Sequence, residues 1–454
     1  MTEEVSPLFR DSAVADNKQS PVHRWVPWIA GFSAGFVADI FKHYLPEPDR
    51  RDVTILEPFS GVGTTLVEGL RHGYDVTGFE VNPFAALASR VKCTAFHLEP
   101  ECLRQNIIVF EHKARQRTAP LDHAFAVGDD ARSCLPRPRS VPPPSFRSRV
   151  PFFSPTIEQK VLHCLDVIRE MPQAELREIA SLAFGSVMVG FSNYSFEPSL
   201  GSRVAAGKPE ITNVDVVGAI SAKLTTMQED LQTYRAAMLQ YRPLPTAQVL
   251  AQSSLDLAAT IPADSIDLVV TSPPYLNNYH YIRNTRPHLF WLDFVAAPSE
   301  LKKIEVENFG KYWQTVRDAP RAQLAFRLPE LEERIEAISR SHPEKGVYGG
   351  QGWANYAVEY FSDCRRICEG LRYSLKPGAA AVFVLGNSIM QGVELPIDRY
   401  FGRIGELCGL QLEDIHLLRK KRIGNSVVNS SIRNGEPSKA TLYETAVVLR
   451  KPLV

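Results

Sequence analysis

Residues 53–73, VTILEPFSGVGTTLVEGLRHG, set a short apolar run, a glycine-punctuated turn and a stretch of helical spacing end to end. The apolar run suits a buried strand and Gly73 stands where a helix would stop, so the order reads strand, turn, helix. Asp75 to Glu80 (DVTGFE) predicts a second strand, and Pro83 to Val91 a second helix with proline near its first turn. Together they make one βαβα unit of a parallel sheet, which places the chain in the α/β class.

The rest of the chain extends that unit. Ile266 to Val270 (IDLVV) is a buried-strand run that ends in TSPPY. Tyr356 to Leu375 has helical spacing, Pro377-Gly378 predicts a turn, and AAAVFVL predicts another strand. The last strands are expected at Leu412 to Leu418 and Tyr443 to Leu449, separated by a polar loop holding RKKR and IGNSVVNSSIRNG. Two stretches do not fit the sheet. Residues 101 to about 247 are mostly helix-like, but Ala131 to Ile157 holds seven prolines, five arginines and no acid, and reads as a loop or linker. Residues 298 to about 352 carry a charged helical run, LPELEERIEAIS, and a glycine-rich tail, and interrupt the sheet.

Composition narrows the classes of function. At 454 residues the chain is expected to hold about three folding units, or one large domain with insertions. Lys plus Arg and Asp plus Glu both total 51, so no global basic field draws nucleic acid and any such surface must be local. Seven cysteines without a CxxC pair speak against a disulfide framework and a four-cysteine zinc site, and fit a reducing cytoplasm. The first residues offer no apolar core of a secretory signal, so the mature chain is expected to begin here. Ile179 to Phe191, the longest weakly polar stretch, is shorter than the ~20 residues a membrane span needs and reads as a buried helix.

Chemistry gathers at two places. A glycine-rich turn that ends a strand and opens a helix lets a ligand approach the backbone, and its free N–H groups favour a carboxylate or phosphate. FSGVG, residues 59 to 63, is such a turn, spaced GxG rather than GxGxxG and followed by Thr64 and Thr65 rather than Lys-Ser/Thr, so a nicotinamide or ATP site is disfavoured. Glu80, at the end of the next strand, is placed to accept hydrogen bonds from two ribose hydroxyls, although a turn and an acid also serve purely structural ends. At the second place, Thr271-Ser272-Pro273-Pro274-Tyr275 follows a buried strand. Its prolines fix a stiff turn whose carbonyls can accept from an exocyclic amine, and Tyr275 offers a face on which a base can stack. A Pro-Pro loop with a core tyrosine is the plain alternative. Downstream, Tyr279, Tyr281, His288 and Trp291 interleave with Arg283 and Arg286 in a pattern suited to bases and phosphates, while Phe290 and Trp291 equally suit inward packing. Arg419 to Arg422 (RKKR) reads as a solvated face or a phosphate contact, and Cys364 and Cys368 as core.

These motifs resemble the amino-methylating DNA methyltransferases, which use S-adenosylmethionine to methylate N4 of cytosine or N6 of adenine. The family's cofactor turn, D/E-P-F-x-G-x-G-T-T, is matched by Glu57, Pro58, Phe59, Ser60, Gly61, Val62, Gly63, Thr64 and Thr65, and its ribose acid by Glu80. Its catalytic (D/N/S)-P-P-(Y/F/W) is matched by Ser272, Pro273, Pro274 and Tyr275, and a serine preceded by threonine resembles the N4-cytosine members. HRWVPWIAGFSAGFV resembles the segment before the cofactor turn, with Phe32 at its aromatic position. The resemblance covers roughly 23 to 100, 248 to 292 and 355 to 450.

It implies a Rossmann-like class I methyltransferase sheet with helical insertions, S-adenosylmethionine as cofactor, no metal, and double-stranded DNA as partner, with a restriction or defence-system partner and no membrane. The divisions it suggests are an arm at 1–22, the cofactor half of the core at 23–100, a helical insertion at 101–247 as candidate for target recognition, the catalytic strand and loop at 248–297, a second insertion at 298–352 and the C-terminal strands at 353–454. One departure is that Gln252 and Ser253 stand where the family usually has Gly-Asp; Ser253 is then the candidate to bond the cofactor's adenine amine, with Gly128-Asp129 ranked second. Alternatives left open are adenine N6, an RNA base, and a DNA-contacting subunit that needs a partner for methylation.

Overall fold

The computed structural model describes residues 5–10, 12–28, 31–45, 52–128, 137–196, 200–276, 281–421 and 442–453. Its strands are β1 (Thr54–Glu57), β2 (Asp75–Phe79), β3 (Tyr194–Phe196), β4 (Leu200–Ser202), β5 (Ala247–Leu250), β6 (Ile266–Thr271), β7 (Leu375–Gly386), β8 (Ser388–Met390), β9 (Val393–Leu395), β10 (Gln411–Lys421) and β11 (Leu442–Arg450). The helices are α1 (Ala34–Tyr44), α2 (Thr64–Arg71), α3 (Pro83–Thr94), α4 (Pro100–Val127), α5 (Pro155–Arg169), α6 (Ala174–Val187), α7 (Val216–Met238), α8 (Tyr281–Trp291), α9 (Pro298–Glu307), α10 (Trp313–Val316), α11 (Pro329–Ser339), α12 (Gly350–Ser374) and α13 (Ile397–Leu407).

Seven strands form one sheet in the order β10-β11-β7-β6-β1-β2-β5, and β3-β4 and β8-β9 are separate hairpins. β1, β2, β5, β6 and β7 pair in parallel, and β11 runs against both its neighbours. The chain lays β1, β2 and β5 outward in one direction and then crosses back to β6 and β7 on the other side of β1. This is a Rossmann-like sheet, and its reversal of strand order between β1 and β6 opens a crevice at the strands' carboxyl ends.

Burial explains why these segments became strands. All six residues of β6 are buried, as a central strand covered on both faces requires. One face packs on α1 to α7 through residues such as Leu66, Val91, Phe110, Leu162 and Leu224, so the 101–247 stretch continues the core beneath the cofactor half. The other face packs on α11 to α13 through Leu331, Ile338, Phe361, Ile367 and Phe401, which brings the second insertion into that layer.

Several expectations need correction. Pro377-Gly378 does not turn the chain between helix and strand: α12 passes directly into β7 at Leu375. Ile266 pairs with Leu375 but Leu268 pairs with Ala380, so the Pro-Gly pair sits in a bulge of the strand, with Gly378 at φ 79°. Arg419 and Lys420 belong to β10 rather than to the loop, and Arg422 lies outside the described residues. β5 was not anticipated, because a four-residue edge strand with half-exposed residues carries little pattern. α5 begins at Pro155, inside the proline-rich stretch. Phe290, Trp291, Cys364 and Cys368 are buried, and Ile179 to Phe191 falls in α6 and the 3₁₀ turn after it. Among the described residues no helix is long and apolar enough to cross a membrane.

The segment before α1 is fastened by a buried carboxylate. Asp230 of α7 accepts from the Val22 backbone N–H (3.0 Å), the Trp25 indole (2.9 Å) and the Arg24 guanidinium (2.6 and 3.0 Å). Trp25 is fully buried, so removing the acceptor strands its N–H in an apolar setting. Asp230→Ala is expected to lower unfolding stability by on the order of 3 kcal/mol, read from urea denaturation. A variant with the unaltered midpoint would show that this anchor does not hold the segment.

Candidate functional site

The turn after β1 is shaped by two residues with positive φ, Gly61 (50°) and Gly63 (85°). Gly63 opens α2 in the left-handed region, where a Cβ would also sit 3.1 Å from the Ser89 backbone. Ser60 returns to β2, its N–H and hydroxyl both donating to the Phe79 carbonyl (2.9 and 3.1 Å). Ser89 of α3 donates to the Gly61 carbonyl at 2.8 Å.

Glu57, at the end of β1, is buried and joins this turn to the TSPPY strand. Its Oε1 accepts from the Phe59 N–H (3.1 Å) and from the Thr271 hydroxyl, and its Oε2 from the Thr65 hydroxyl (2.7 Å). Burial pushes its carboxyl up to about 7, against the pull of those three donors. Glu57 therefore acts as a fastener between the two motifs.

Glu80 is arranged for a ligand. Its Oε2 accepts from the Gly61 N–H and its Oε1 from the Asn82 N–H, both at 2.8 Å, which fixes the carboxylate while each oxygen keeps another lone pair. Burial raises its carboxyl to about 7. The cavity in front of it is lined by Phe32, Glu57, Phe59, Gly61, Thr64, Glu80, Ser253, Ser272 and Pro274. Nine residues singled out in the sequence thus meet at one place. Gly63 lies behind the turn and does not line this cavity, nor do Pro273 and Tyr275. Ser253 donates to the Glu307 carbonyl at 2.7 Å, so it also ties the second insertion to the site. Of the second-ranked pair, Asp129 lies outside the described residues, and so does Tyr279.

A second cavity of about 240 Å³ adjoins the first and shares Pro274, Tyr281, Ile282, Asn308 and Phe309 with it. Tyr275 lines it. The Tyr275 ring lies on the end of β7, where a Cβ on Gly386 would come within 3.2 Å of it, and its hydroxyl reaches Glu444 of β11 at 3.3 Å. Glu444 is buried and also accepts from Arg419. Arg283 and Arg286 line this cavity too; Arg286 donates to the Arg147 carbonyl at 2.9 Å, which ties the arginine-rich stretch to this edge. His288 instead packs against Phe84 with its ring tilted by 32° (4.4 Å between centroids) beside a third, apolar cavity, and burial lowers its pKa to about 4.

Reading the sequence missed Trp28, Glu444 and the Glu305–Tyr312 segment. Trp28 stacks on Tyr281 (5.9 Å, 11°) at the wall of the first cavity, with its indole nitrogen 3.4 Å from where a Gly61 Cβ would stand. An aromatic in HRWVPWIAGF four residues before Phe32 was the available signal.

No protein-family model matches the chain. Curated relatives do: the type II methyltransferase M.BsoBI of Geobacillus stearothermophilus is 24% identical over 96% of this chain and 87% of its own. The type II methyltransferase M.MvaI of Kocuria varians is 28% identical over 76% of this chain and 72% of its own. M.AvaI of Nostoc sp., also a type II methyltransferase, is 23% identical over 96% and 88%. The chain is related to type II methyltransferases. That relationship runs through both insertions as well as the sheet, since the alignments span nearly the whole chain. Among solved structures, the rRNA methyltransferase aviRa of Streptomyces viridochromogenes aligns with a TM-score of 0.30 and 11% identity over 96% of this chain and 92% of its own, too distant to bear on the site.

In this methyltransferase relative, the turn geometry makes a sharp prediction. Gly61→Val puts a branched side chain at φ 50° and against the Trp28 indole. It should cost about 1–3 kcal/mol of stability and shift the part of the tryptophan emission that Trp28→Phe removes. Unchanged emission would mean that Trp28 does not cover the turn.

Proposed function

We propose that the chain is an S-adenosylmethionine-dependent DNA methyltransferase that methylates the N4 amino group of cytosine in double-stranded DNA. The observation that carries this reading is the meeting of Gly61 and Glu80 with Ser272 and Pro274 on one cavity, some two hundred residues apart in sequence, beside a second, aromatic-lined cavity. The kinship with type II methyltransferases supports the same class, and a restriction or defence-system partner would be the natural counterpart.

The residues of the first cavity fit the cofactor: Glu80 has lone pairs for two ribose hydroxyls, the turn offers backbone to the methionine end, Phe32 and Phe59 offer apolar contact, and Ser253 borders the side assigned to the adenine amine. When bound, the cofactor supplies a methyl group already made electrophilic by positive sulfur. The chain supplies alignment and hydrogen-bond acceptors. Tyr275 stacks on the base, held by Gly386 beneath and Glu444 at its hydroxyl. Ser272 Oγ and the Pro273 carbonyl would accept the two amine N–H bonds as nitrogen turns from planar to tetrahedral; the N–C bond would form as the methyl–sulfur bond breaks with its electron pair left on sulfur, and one amine proton would pass to solvent. Residues 101–247 read the flanking sequence, with exposed Arg137, Arg147 and Arg149 as phosphate contacts.

Mass analysis of nucleosides from DNA of cells expressing the protein should show N4-methylcytosine. Finding only N6-methyladenine would replace cytosine by adenine as the substrate, and finding neither would leave the DNA-contacting subunit. Tyr275→Ala should lose turnover by at least tenfold while keeping most cofactor affinity; an unaltered rate would remove the tyrosine from the mechanism.

Glu80 also gives a pH prediction. Because its folded pKa, about 7, lies above the ordinary 4.5, its contribution to the stability of the ligand-free protein is full below 4.5 and lost as pH rises through 7. Ribose hydroxyls favour the ionised carboxylate, so cofactor affinity should run the other way, rising from about pH 5 to 7 and then levelling. Calorimetry on the unaltered chain and on Glu80→Gln checks it: the variant should bind weakly and lose the pH dependence, and a slope retained in the variant would assign it to another group such as Glu57.

A further inference from the structure

The second cavity is lined by Tyr275, Tyr281, Phe309, Tyr312, Tyr356 and Tyr360, a box of aromatic rings suited to a planar ligand. Two of its polar side chains, Glu305 and Asn308, come from the second insertion, and neither has a hydrogen-bond partner among the described residues. Their neighbours are committed. Lys311 donates to the Val306 carbonyl at 2.7 Å and to the Asn308 carbonyl at 3.4 Å, and Gly310 N–H donates to Asp363 at 2.9 Å, so the backbone on both sides of Asn308 is pinned. Ser253 adds a third tie through the Glu307 carbonyl at 2.7 Å. Asn308 thus stands on a fixed backbone at the junction of the two cavities, since it lines both.

Asn308 is half-buried where it lines both cavities, so a base that displaced water there would have to replace the hydrogen bonds its amide makes to solvent. What remains on a cytosine whose N4 amine faces Ser272 and Pro273 is a pair of acceptors, N3 and O2, and the side-chain amide of an asparagine supplies the donors they need. A carboxylate does not.

We propose that Asn308 is a specificity-determining residue of the methyl transfer, donating a hydrogen bond to the Watson–Crick edge, at N3 or O2, of the cytosine admitted to the second cavity. This rests on the function proposed above. It gives the second insertion a role apart from flanking-sequence recognition: it reads the target base itself.

The test uses the full-length chain, tritiated S-adenosylmethionine and a duplex oligonucleotide carrying the site mapped for the unaltered protein. That duplex is made with cytosine or with 3-deazacytosine at the target, the latter replacing N3 by C–H. If Asn308 donates to N3, the unaltered chain should methylate the 3-deaza duplex about ten- to a hundredfold more slowly. Asn308→Ala should be slowed to a similar extent on cytosine and lose little more on 3-deazacytosine, because both changes remove the same bond. Asn308→Asp, which keeps the size but reverses donor to acceptor, should be slower than Asn308→Ala on cytosine. If the bond is to O2, the same variants stay slow on cytosine while a 2-thiocytosine target, a poorer acceptor, takes the place of the 3-deaza base in the non-additive pair. The role is overturned if Asn308→Ala transfers methyl at the unaltered rate, if its losses simply multiply with those of both base analogues, or if its whole effect is weaker cofactor binding by calorimetry. Absence of any transfer to DNA by the unaltered chain would instead overturn the proposed function, and this role with it.

Discussion

Everything at the carboxyl edge of the sheet depends on one buried carboxylate. Glu57 ends β1 and receives the Thr65 hydroxyl from α2, the Thr271 hydroxyl from β6 and the Phe59 amide from the turn. The same Thr65 hydroxyl lies 3.2 Å from the Val270 carbonyl, so its one proton is shared between acceptors on β1 and β6 and the start of α2 sits against both strands. A carboxyl in such a setting is held in place by donors that stabilise its charge, while burial disfavours that charge. The balance leaves a rigid joint between two segments that strand pairing and the Thr65–Val270 contact alone would hold less firmly. A turn poised for a ligand and a turn poised for a reacting amine keep their spacing because both hang from this joint.

Apart from β5, whose half-exposed residues carry little pattern, the strands of the sheet were legible in the sequence as apolar runs or as segments set off by helices and turns. Glu57, Gly61, Glu80, Ser272 and Tyr275 were legible because a tight turn and a Pro-Pro turn impose residue types on the chain locally. What stayed hidden was supplied from afar. Glu444 reaches Tyr275 across 169 positions and opens the run of β11 that is buried on both faces, where the sequence does not show which partner a lone acid will meet. Asn308 follows a helix rich in charge, and nothing in LKKIEVENFGKY marks one asparagine as facing a cavity. Pro377-Gly378 was misread because a bulge and a turn ask for the same residues, and only the pairing of Ile266 and Leu268 tells them apart.

The two insertions differ in how they join the body. Residues 101–247 thicken the helical layer on one face, with Ile107, Phe110, Val161 and Ile220 continuous with the packing of α2 and α3. The second insertion sends Leu331 and Ile338 into the opposite face and brings Glu307, Asn308 and Phe309 to the crevice. Both are therefore structural parts of the domain as well as sources of surface. Deleting either would expose core, so their contribution to recognition has to be separated by point changes at positions that carry no packing.

β11 is the reversed strand of the sheet, and that reversal has a consequence for precision. The parallel strands deliver residues to the crevice at their ends, but β11 delivers Glu444 near its beginning, where it pairs with Gly386 of β7. The glycine that makes room for the Tyr275 ring and the acid that holds its hydroxyl are thus cross-strand partners. A slip of one residue between β7 and β11 would turn Glu444 to the opposite face of the sheet and leave the ladder otherwise intact. The aim of the tyrosine is therefore a property of strand register, so this protein could lose its chemistry through a pairing error that leaves its helix and strand content unchanged.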